Sequence, residues 1–87
     1  MTDDQTNDEK LALQALGWTL GDDSRAGRFL ALTGLTPETL RRAVNEPATL
    51  AATLRFLEAH EPDLLACAEA IGVAPAALPA ARRRLEG

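Results

Sequence analysis

The chain has 87 residues, with nine Lys and Arg against thirteen Asp and Glu, for a formal net charge of −4. This length suits one domain and excludes large catalytic architectures such as an eight-stranded barrel or a doubly wound sheet. Asp3, Asp4, Asp8 and Glu9 precede the first base, Lys10, and nine acids then balance nine bases, so the body lacks the basic field of a general nucleic-acid binder.

Seventeen Ala and fifteen Leu dominate the apolar residues, against three β-branched aliphatics (Val44, Ile71, Val73) and three aromatics (Trp18, Phe29, Phe56). Ala and Leu head the helix scale while strands favour the other two groups, so the composition predicts an all-α fold. The expected architecture is a compact bundle of five or six short helices over residues 7–87, preceded by a disordered acidic tail over residues 1–6. The N-terminus is polar and acidic, unlike a signal peptide, and no apolar run approaches the roughly 18 residues of a membrane span. With one cysteine, Cys67, no intramolecular disulfide can form. A cytoplasmic protein is expected on these grounds.

In chain order, the first helix is expected from Asn7 or Asp8 to Leu20, closed by Gly21. At 100° per residue, Leu13, Leu16 and Leu20 share one face and Leu11, Ala15 and Trp18 the opposite one. A helix apolar on two sides is either central to a bundle or covered by a partner. Asp22 or Asp23 caps a second helix that stops at Gly34, with Ala26, Phe29, Leu30 and Thr33 inward and Arg25 and Arg28 toward water. Thr36-Pro37-Glu38 opens a third, with Leu40, Ala43 and Val44 inward and Arg41 and Arg42 outward. Asn45-Glu46-Pro47 ends it, because the residue before proline is pushed out of the α region.

A fourth helix follows from Pro47 to about His60, and a fifth from Pro62 to Gly72, with Leu64, Cys67, Ala68 and Ile71 inward. The sixth begins near Ala76 to Leu78, with a stripe of Leu78, Ala81 and Leu85 beside Arg82, Arg83 and Arg84. Basic residues suit that end of a helix dipole, which predicts a solvated helix terminus.

Candidate chemistry is sparse. His60 with Glu61, and Cys67 seven residues on, could supply a base and a nucleophile, but no third orienting group stands at recognisable spacing. Cys67 reads as a small core residue and His60 as a helix-end residue. One His and one Cys are too few for structural zinc, and the glycines match no phosphate loop. No cofactor, metal or catalytic residue is expected. The helix pair around Asn45-Glu46-Pro47 resembles a helix-turn-helix, but the second helix starts Pro47-Ala-Thr-Leu-Ala-Ala-Thr-Leu and offers only Arg55 to bases.

The stretch Gly27-Arg-Phe-Leu-Ala-Leu-Thr-Gly-Leu-Thr-Pro-Glu-Thr-Leu-Arg41, with Leu54-Arg-Phe-Leu57, Glu61-Pro-Asp-Leu-Leu65 and Gly72-Val-Ala-Pro75, resembles domain-of-unknown-function family 3572. The resemblance covers about residues 10 to 85. It implies a small helical protein of alphaproteobacteria, with no established activity to transfer. Physically the stretch is a corner between two helices that displays Arg25, Arg28, Arg41 and Arg42.

The expectation is therefore a non-catalytic protein-protein interaction module or small regulator. Its candidate contacts with an acidic protein partner are Leu11, Trp18, Arg25, Arg28, Arg41 and Arg42, with a homodimer through the Leu11 and Trp18 face as another use of that patch. A weak nucleic-acid binder using the corner and a non-catalytic component of a larger enzyme assembly are the alternatives.

Overall fold

A computed structural model describes residues 3–87. Among them lie six helices and no strand: α1 (Asp3–Leu20), α2 (Asp23–Thr33), α3 (Pro37–Ala43), α4 (Pro47–Glu58), α5 (Glu61–Ile71) and α6 (Ala77–Leu85).

Local chemistry sets most boundaries. Asp22 takes the extended N-cap conformation and its carboxylate accepts from the Arg25 N–H at 3.0 Å. Gly34, at φ 74°, occupies the left-handed conformation that releases the chain from α2, and its N–H donates to Leu30 O. Thr36 and Thr39 form a reciprocal cap: the Thr39 N–H donates to Thr36 Oγ1 at 3.1 Å and the Thr36 N–H to Thr39 Oγ1 at 2.8 Å. Proline opens α3 and α4 at Pro37 and Pro47, where a missing N–H is no loss. Pro79 sits in the first turn of α6 for the same reason.

Two boundaries differ from expectation. α1 begins at Asp3 and not near Asn7. Of the tail expected over residues 1–6, Met1 and Thr2 lie outside the described residues, and residues 3–6 are helical. α4 ends at Glu58, so His60 is the N-cap residue of α5 and not the end of α4.

α4 is the hub. Thr49, Leu50, Ala51, Thr53, Leu54, Phe56 and Leu57 are buried along it, packed against α1, α5 and α6. Phe56 meets Phe29 of α2 edge to face, with ring centroids 5.5 Å apart at 80°. α1 turns to the core Asp8, Ala12, Ala15, Leu16 and Thr19, a strip that takes Leu16 from one apolar face and Ala15 from the other, with Leu11 and Trp18 packed at its edge. Small side chains there let α1 approach α4 and α6 closely, and Thr19 satisfies its buried hydroxyl by donating to Ala15 O at 2.9 Å. Leu13 and Leu20 are left at the surface, each 37% exposed. α3 is peripheral, with Leu40 its one buried residue.

Candidate interaction surface

The six residues singled out for contact have different fates. Leu11 and Trp18 are half-buried and pack against the core. Arg25, expected to face water, folds back over Trp18: its guanidinium carbon stands 3.7 Å from the indole centroid. Its Nη2 donates to Trp18 O at 2.8 Å, in the last turn of α1, where a positive charge meets the negative end of the dipole. Arg28 does reach the surface, yet it pairs with Asp63 of α5 at 3.2 Å and lies over the Phe56 ring. Arg41 and Arg42 are exposed and make no ion pair among the described residues. Of the four corner arginines, these two keep their charge free.

Asp63 ties the first turn of α5 to α2. It accepts from Arg28 and faces His60 Nδ1 at 3.0 Å. Burial would raise its carboxyl, but the hydrogen bonds from His60 and Arg28 outweigh that and hold it below the ordinary 3.8. Cys67 is fully buried, and burial pushes its thiol up to about 11. A thiol in that state is a poor nucleophile, and no hydrogen bond joins it to His60 among the described residues. No group of three His, Cys, Asp or Glu among the described residues could hold a metal ion.

Dipole reasoning predicts a solvated helix end for the terminal arginines, and two of them depart from it. Arg82 donates to Glu58 of α4 at 2.5 Å and to Glu86 at 2.7 Å. Arg84 grips the buried Asp8 of α1 with Nε and Nη2, each at 2.8 Å, a fork-to-fork pair spanning 76 positions. Charge alternation within one helix carries no signal for such partners, because they meet only once the bundle has closed.

Between α1, α2 and α3 lies an apolar groove of about 310 Å³, lined by Leu20, Leu30, Leu40 and Val44 with Arg41 at its rim. Leu13 and Gly17 continue the Leu20 face along α1 at helical spacing. Gly17 is exposed, and a Cβ added there would meet no atom within 4 Å. Nothing inside the chain requires a glycine in the middle of that helix. Spacing alone marks Gly17 as a residue at odds with its helix, a signal that leucine and arginine patterns pass over.

These features define a small all-α bundle with a basic-rimmed apolar groove between α1, α2 and α3. The chain belongs to the family described as Protein of unknown function (DUF3572), whose model matches residues 5–87. No curated protein and no solved structure matches the chain. No helix among the described residues is long and apolar enough to cross a membrane.

Proposed function

We propose that the protein is a non-catalytic interaction module of the cytoplasm that docks an acidic, partly apolar segment of another protein in the groove between α1, α2 and α3. The carrying observation is the pairing of that groove with Arg41 at its rim, exposed and unpaired among the described residues, as is Arg42, the next residue of α3. Glu38 lies one turn away on α3 without an ion pair to either, and two cations against its one carboxylate leave this part of α3 net positive. Buried groove contacts would supply affinity, and the two arginines orientation and rate of encounter. Gly17 supports the same face, since a mid-helix glycine weakens α1 and gains meaning where another backbone comes close. A single buried free thiol suits a reducing compartment.

The nucleic-acid reading has less support. Its recognition helix would be α4, whose inner residues form the core and whose Arg55 is already paired with Glu86 at 2.6 Å. Membership of an enzyme assembly is the same docking seen from the partner's side.

The test uses the intact chain as bait in a native lysate, beside the double variant Arg41→Glu/Arg42→Glu and the control Arg83→Glu. Support is a partner held by wild type and control, released by high salt and lost with the double variant, at unchanged melting temperature. An identical set of partners for the double variant removes the reading.

A further inference from the structure

We infer that α3 is a hinged wall of the groove, which swings away from α1 and α2 to admit a docked segment and closes over it. What the motion serves rests on the docking reading; the motion itself is tested without a partner. Polar ties single α3 out. Arg25 joins α2 to α1, Arg28 joins α2 to α5, Arg82 joins α6 to α4, and Arg84 joins α6 to α1. Among the described residues no side-chain hydrogen bond or ion pair links α3 to another helix. The bonds of Thr36 and Thr39 stay within its own first turn, and Arg41 and Arg42 make no ion pair. Apolar anchoring is equally thin. α3 packs least against the other helices, and Leu40 is its one buried residue, flanked by half-buried Leu35 and Val44.

Leu40 and Val44 both line the groove, so lifting α3 widens it directly. The lift gives up the burial of one leucine while the core around α4 stays packed, which is the pattern of a local opening and not of global unfolding. Both ends of α3 can absorb the turn. Gly34, exposed and at φ 74°, has open space where a Cβ would stand, and Asn45 and Glu46 are exposed between α3 and α4. Between these hinges Pro37 and the reciprocal Thr36–Thr39 cap hold the first turn together, so α3 moves as one piece. Arg41 and Arg42 travel with it. A partner carboxylate that meets Arg41 while its apolar side chains lie against Leu20 and Leu30 makes both contacts only in the closed position, and so draws α3 shut.

Thiol labelling of the full chain tests the inference, with native Cys67 as the internal standard. Cys67 is fully buried in the core and reports opening of the whole bundle. In Leu40→Cys the introduced thiol should react about tenfold or more faster than Cys67 of the same molecule. In Leu16→Cys, at a similarly buried leucine of α1, the introduced thiol should react no faster than Cys67. Circular dichroism melts confirm that each variant is folded. In the unaltered chain, methyl relaxation dispersion should find exchange at Leu20, Leu30, Leu40 and Val44 and none at Leu50 and Leu54 of α4. Equal labelling of the Leu40→Cys thiol and Cys67 overturns the inference, as does an absence of exchange at the groove methyls of the unaltered chain. Neither readout involves a partner, so failure of the lysate capture and failure of the hinge are told apart.

Discussion

Arg25 shows how a residue that looks like a surface charge can serve the interior. Its guanidinium stands over the Trp18 ring and donates to a carbonyl at the end of α1, covering the indole on one side while the ring packs against the core. The planar fork of arginine suits that double role better than an ammonium would. Asp63 works in a similar way at the junction of α2 and α5, and its lowered pKa gives a testable sign. A carboxyl whose folded value lies below its unfolded value stabilises the fold above the unfolded value and loses that contribution as pH falls through the folded one. Asp63→Asn should therefore melt below wild type near pH 7, and the gap should close as the pH is taken below the ordinary carboxyl value of 3.8 and through the lower folded one. Because His60 and Arg28 both face Asp63, His60→Ala should narrow the gap and not abolish it; a gap that persists unchanged in acid refutes the assignment.

At the scale of helices, propensity and packing disagree at two glycines. Gly17 and Gly27 lie inside α1 and α2 on exposed backbone, and a methyl group at either would meet nothing within 4 Å. Each alanine replacement should raise stability by about 0.5–1 kcal/mol in urea denaturation, since glycine loses more backbone freedom on folding. If the groove docks a partner as proposed, Gly17→Ala should also weaken capture while Gly27→Ala does not, a split that stability alone cannot produce. Helix ends were legible in the sequence because capping is local: Asp22, Gly34, Thr36, Pro37 and Gly72 act within a few residues. The inward face of α1 was legible only in part. Leucine spacing gave two apolar faces and left open whether the helix is central or partner-covered, whereas close approach of α4 and α6 centres the burial on Ala12, Ala15, Leu16 and Thr19, leaving Leu13 and Leu20 at the surface.

Across the whole molecule, the charge pattern reads differently once the partners are known. The acids at the start of the chain look like a solvated excess, yet Asp8 is buried and clasped by Arg84. The variant Asp8→Asn should lower stability by about 1–2 kcal/mol, discounted from the figure for a buried pair because Arg84 is half-exposed. Deletion of residues 1–6 spares Asp8 and should cost less than that single substitution, as read from chemical denaturation; equal losses would show that the clasp carries no weight. Such a pair could not be read from the sequence, since 76 positions separate its members and neither local spacing nor composition links them. The same holds for Arg28 with Asp63 and Arg82 with Glu58. The bundle itself was readable because burial depends on average composition, while the free charge of Arg41 and Arg42 emerges only after every other pairing has been assigned.

The seam between α1 and α6 bears on how the chain is made. Leu78 and Ala81 of α6 fill the core against helices from the start of the chain, and Asp8 has no counter-ion until Arg84 exists. A nascent chain that stops at Ile71 thus exposes the alanine strip of α1 and carries a carboxylate destined for burial without its cation. On the ribosome, five helices can form, but the native bundle waits for the sixth. Until then the growing polypeptide offers chaperones and proteases a surface that the finished protein hides.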